Sequence, residues 1–75
     1  MEDIMFRQEN LSRLVAISLV SEKPKQIVAS SLKLSEPTLD AFIDWLAAEV
    51  NADRSVAKKL IANSPVLLKI AFILA

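Results

Sequence analysis

The sequence predicts an all-α fold, a compact bundle of about five short helices forming one domain over residues 1–75. Three observations lead there. Apolar residues recur at spacings of three and four in every long stretch, and no stretch alternates with the period of two that a half-buried strand needs. Helix-starting residues stand before the periodic runs: Pro24, Ser35-Glu36-Pro37, Asn51 or Asp53, and Ser64-Pro65. Finally, 53% of the residues are hydrophobic and only 24% charged, far from the polar composition that keeps a chain unfolded.

The first helix is expected over residues 3–20, with Ile4, Leu11, Leu14, Val15 and Leu19 on one arc and Phe6, Ile17 and Val20 elsewhere on the wheel. Pro24 disfavours helical geometry at Lys23 and opens a second, short helix to about Lys33, in which Val28 and Leu32 share a face. The third, from Pro37 to about Asn51 with Ser35 as its cap, places Leu39, Phe42, Ile43, Leu46 and Val50 on a core-facing arc. Ala41, Trp45, Ala48 and Ala52 repeat at the same spacing on a second arc, so this helix has two apolar faces. A fourth helix turns Val56, Ala57, Leu60 and Ile61 inward and Arg54, Lys58 and Lys59 outward. The fifth, Val66 to Ala75, is apolar nearly all round, which suits a helix at the centre of a bundle or one packed against another chain.

An echo runs through the second half of the chain at an offset of 28. Val28-Ala29, Leu32, Pro37, Leu39 and Leu46 align with Val56-Ala57, Leu60, Pro65, Leu67 and Leu74, and Phe42 with Ile70. This divides the chain into possible repeats, residues 24–51 and 52–75, each a short helix, a break and a second helix.

A chain of 75 residues buries only about 60% of its unfolded surface. With so many hydrophobic residues and no Gly among them, apolar surface is expected to be left over and covered by a second copy, most simply in a dimer, or by another protein. The expected interface residues are Ala41, Trp45, Ala48, Ala52, Leu68, Phe72 and Ile73, with Asp40 and Asp44 as an acidic ridge facing a basic partner. Net charge is zero but unevenly placed: residues 35–52 carry four acids and no base, and residues 53–75 carry four bases and one acid, so the two regions can attract within a chain or between chains.

Chemistry is limited by what is missing. Without His, Cys or Tyr there is no imidazole base, thiolate or phenol, and without Gly no phosphate-cradling loop; no enzyme, cofactor or metal is expected. The acidic start Met1-Glu2-Asp3 is unlike a secretory signal, and the run from Val66 to Ala75 is about half the length needed to span a bilayer, so a cytoplasmic protein without a membrane role is expected.

Residues 25–45 resemble a helix-turn-helix motif. Ala29 stands where the two helices cross, Leu32 and Leu34 are internal, Ser35-Glu36-Pro37-Thr38-Leu39 form the turn and second-helix start, and Phe42 is the later anchor; Lys33 stands where glycine is common. The resemblance implies a dimeric DNA-binding transcription regulator, with Lys23, Lys25, Lys33 or arginines on phosphates. Its groove-facing positions would be Ser35, Glu36, Pro37, Asp40, Ala41 and Asp44, and three acids there repel phosphate. The leading expectation is therefore a small non-enzymatic helical interaction or regulatory module, with the DNA-binding regulator as the alternative.

Overall fold

The computed structural model describes residues 8–75; the expectations for Ile4 and Phe6 lie outside them. Five helices make up 76% of these residues, with no strand among them: α1 (Gln8–Leu19), α2 (Pro24–Leu32), α3 (Leu39–Glu49), α4 (Arg54–Asn63) and α5 (Pro65–Leu74). The connections are correspondingly short, and side-chain caps fix where helices begin. Thr38, rather than Ser35, caps α3, its Oγ1 accepting the N–H of Ala41 at 3.2 Å. Pro37 therefore lies before the helix. Asp53 caps α4 through the N–H of Val56 at 3.1 Å, and Ser64 caps α5 through that of Leu67 at 3.3 Å, with Pro65 in the first turn where a missing N–H costs nothing.

Two helices end on a residue in the left-handed region. Lys33 (φ 60°) follows α2, and the N–H of Leu34 reaches back to Ala29 O at 2.9 Å; Asn51 (φ 54°) follows α3, and the N–H of Ala52 reaches Ala47 O at 2.9 Å. Both are six-to-one closures in which glycine is the usual left-handed residue. Asn tolerates that geometry; Lys pays for its Cβ. Replacing Lys33 by Gly is expected to raise stability by about 0.5–1 kcal/mol, the relief of left-handed strain exceeding glycine's added chain entropy, measurable as a higher urea midpoint at unchanged slope.

α5 is the centre of the bundle. It touches all four other helices, while α1 lies directly on α2 and α3 directly on α4. Leu67, Ile70, Ala71 and Leu74 of α5 enter a core shared with Leu11, Leu14 and Val15 of α1, Val28 and Leu32 of α2, Phe42, Ile43 and Leu46 of α3, and Ala57 and Ile61 of α4. Ser18 is also fully buried; its hydroxyl donates to Leu14 O at 2.8 Å, one turn back, so it needs no outside partner.

On α5, Leu68 and Phe72, which the sequence sets outside the core, are exposed, because the other helices cover only part of its circumference. Other faces differ from the sequence expectation. Leu19, expected in the core, is exposed at the very end of α1, where the chain turns away toward Pro24. In α4, Ala57 and Ile61 are buried whereas Val56 and Leu60 face out. These two align with the buried Val28 and Leu32 of α2 in the sequence echo, so the buried stripe of α4 sits one residue, about 100° of helix, later than that of α2. α2 and α3 make at most marginal contact with each other, joined by the irregular residues 33–38, so the tight crossing at Ala29 that a helix-turn-helix requires is not formed.

Candidate docking surface

The sequence placed two apolar faces outside the core, one on α3 and one on α5. On α3, Ala41 is buried within its own fold. Trp45 is half-buried, its ring stacked on the fully buried Phe42 with centroids 5.8 Å apart and planes 16° from parallel. Its indole thereby serves the core on one side. Ala48 and Ala52 are exposed but short, so this face offers little apolar area.

The acidic ridge on the same helix has a partner within the chain. Arg54, at the start of α4, donates from Nη2 to Asp40 Oδ1 at 3.0 Å and from Nη1 to Asp44 Oδ1. Asp40 and Asp44 lie one turn apart and a single forked guanidinium spans them, tying α3 to α4. Donating to the Asp44 carboxylate, and then to that of Asp40, holds Arg54 still more firmly protonated than usual. All three side chains are substantially exposed, so water and salt weaken the clasp.

Next to it, the N–H of Val56 and then the hydroxyl of Ser55 stabilise the charged carboxylate of Asp53 and hold it below its ordinary value near 3.8. A depressed carboxylate contributes stability that is complete above the unfolded value and disappears as pH falls through the folded one. The cap contribution of Asp53 is thus expected to be intact at pH 5 and lost only below about pH 3.8. A carboxyl carbon titration should place the Asp53 midpoint below 3.8, and Asp53→Asn should retain the cap while removing that step from the acid unfolding curve.

The α5 face is different in kind. Phe72 is 72% exposed, a large aromatic side chain left in water on the central helix. On one side of it lies a hollow of about 370 Å³, floored by Leu39 and Ile43 of α3, Ile61 of α4 and Ala71 of α5, with Leu68 at its edge and Lys58 at its rim. On the other lies a hollow of about 430 Å³ bounded by Leu19, Pro24 and Ile73, with Lys69 beside it. The structure thus brings Leu68, Phe72 and Ile73 together on one surface and leaves Trp45 and Ala48 on α3, and Ala52 in the turn after it, outside both hollows.

The sequence reading missed the rest of this surface. The helical period places Leu39, Ile43 and Ile61 in the core, but each also lines the hollow, and periodicity reports only which arc a residue is on. Leu19 and Pro24 join through the turn between α1 and α2, which no single helical wheel can represent. In the sequence Lys58 is only an outward-facing base of the fourth helix, and Lys69 only one of the four bases among residues 53–75. Their position beside an apolar hollow is a tertiary fact.

No helix among the described residues is long and apolar enough to cross a membrane. The chain matches no protein-family model, and no curated protein or solved structure is significantly similar to it.

Proposed function

We propose that this chain is a non-enzymatic helical docking module of the cytoplasm, whose α5 face, centred on Phe72 with Leu68 and Ile73, buries against another protein surface. The observation that carries the reading is Phe72 itself, exposed between two apolar hollows. An aromatic side chain offers roughly 150–250 Å² for burial, so Phe72 leaves over 100 Å² of it in water. At about 25 cal/mol per Å² its burial is worth about 3 kcal/mol, the scale of a binding hot spot. A fold that used all its apolar residues internally would not leave that unspent on its central helix.

The absence of imidazole, thiol, phenol and glycine-loop chemistry from the sequence supports a role in binding rather than catalysis. Self-association into a dimer belongs to the same reading, with a second copy as one class of partner. The DNA-binding alternative is less well supported, because α3 would present Asp40 and Asp44 to phosphate and α2 does not brace it.

Phe72→Ser separates docking from folding, since an exposed side chain can be shortened without opening the core. Pull-down and sedimentation of the wild type should reveal an associated species, either a second protein or a second copy, that Phe72→Ser loses while melting at the wild-type temperature. Identical retained proteins and identical sedimentation for the two would retire the reading.

A further inference from the structure

We infer that the α5 face receives an acidic amphipathic helix from another protein, its apolar side chains seated on either side of Phe72 and its carboxylates on Lys58 and Lys69. The inference rests on the docking reading above and adds the chemistry of the occupant.

Shape favours a helix. Two apolar hollows on either side of one exposed ring offer separate seats for side chains projecting from one helix face, with Phe72 lying between the anchors. A lipid surface presents no side-chain-sized knobs to fill such hollows. Charge then selects the kind of helix. Lys58 stands at one hollow and Lys69 at the other, no acidic residue lines either, and neither lysine forms an ion pair among the described residues. Arg54, the nearby arginine of α4, is already engaged by Asp40 and Asp44. Asp40 and Asp44 are thus answered within the chain, while the cations flanking Phe72 are left for something else.

The same distribution disfavours a second copy. Across a two-fold axis through this face the patch meets itself, so the positive charge of Lys58 and Lys69 on one copy faces the same positive charge on the other. An acidic helix turns that repulsion into attraction.

The test is a display library of helical peptides with fixed apolar anchors at i, i+4 and i+7 and flanking positions drawn equally from Glu and Lys, selected on the immobilised full chain. Glu is expected to be enriched. A selected Glu-flanked peptide should bind about tenfold more tightly than its Lys-flanked counterpart at low salt, with the difference shrinking as salt is raised. The double variant Lys58→Glu/Lys69→Glu should reverse the preference, and Phe72→Ser should weaken both peptides; unchanged helical spectra and melting would show these exposed positions leave the fold intact.

Binding that depends on Phe72 but shows Lys enrichment or no charge bias would overturn the acidic partner and leave docking standing. Self-association of the wild type, abolished by Phe72→Ser, without peptide capture would do the same and assign the face to a second copy. Anionic vesicles floated by the wild type and not by Phe72→Ser, with no peptide retained, would overturn both, as would no Phe72-dependent binding of any kind.

Discussion

Phe42→Ala should remove about 3.5–6.5 kcal/mol of the protein's stability. Phe42 is fully buried at the meeting of α3 with the central helix, and one face of its ring carries the stacked indole of Trp45. Removing a buried phenyl costs about 3–5 kcal/mol in transfer and cavity terms, to which losing the stacked neighbour adds about 0.5–1.5 kcal/mol. A domain of this length has only roughly 4–11 kcal/mol in total. The loss therefore takes a third or more of the stability and, toward the lower end, all of it. Urea denaturation followed by Trp45 fluorescence measures the effect directly, because the indole moves from its half-buried stack into water when the fold opens. A midpoint unchanged from wild type would mean that Phe42 does not hold the core together.

The second large effect is a contrast between near neighbours on one helix. Ile70→Ser is expected to cost about 3–5 kcal/mol, whereas Phe72→Ser should change stability by less than about 0.5 kcal/mol. Ile70 is fully buried and Phe72 mostly in water, although both are large apolar residues in the same apolar run. The new hydroxyl at position 70 would not be the main penalty, since Ser18 shows how a buried serine bonds the carbonyl one turn back; the cavity would be. Helix propensity barely separates Ser from Phe or Ile, so the difference in melting temperature reports burial alone. Equal destabilisation by the two substitutions would place Phe72 in the core and remove the case for a docking face.

Much of the fold was legible in the chain. The helical period of Phe42, Ile43 and Leu46 and of Leu11, Leu14 and Val15 is a local property, set by 3.6 residues per turn, and it identified buried residues in both helices. The cap at Ser64 was legible for the same reason, and Asp53 as one of two candidates beside Asn51: a side chain bonding an N–H three residues on needs no distant partner. Where local signals competed, the reading failed. Ser35, Glu36, Pro37 and Thr38 offer overlapping helix starts, and Thr38 won by bonding Ala41, its own hydroxyl turned toward Glu36. In α4, Val56 and Leu60 lie beside Ala57 and Ile61 on the wheel, and hydrophobicity cannot say which of two adjacent stripes a small helix presents to its neighbour.

By itself, then, the amino-acid order determined the helices, most of their limits, the surplus of apolar side chains and the absence of His, Cys, Tyr and Gly, because these follow from short-range geometry and from counting residue types. Only the tertiary structure decided which part of that surplus stays in water. α5 is apolar except at Lys69, so its own pattern only suggests that Phe72 rather than Ile70 faces outward; how much of each stays in water comes from where the other four helices lie against it. Their placement covers Ile70, leaves Phe72 between two hollows, and sets Lys58 and Lys69 beside them while Arg54 is drawn to Asp40 and Asp44. Packing has to satisfy all five helices at once, and no single stretch of the chain holds that information.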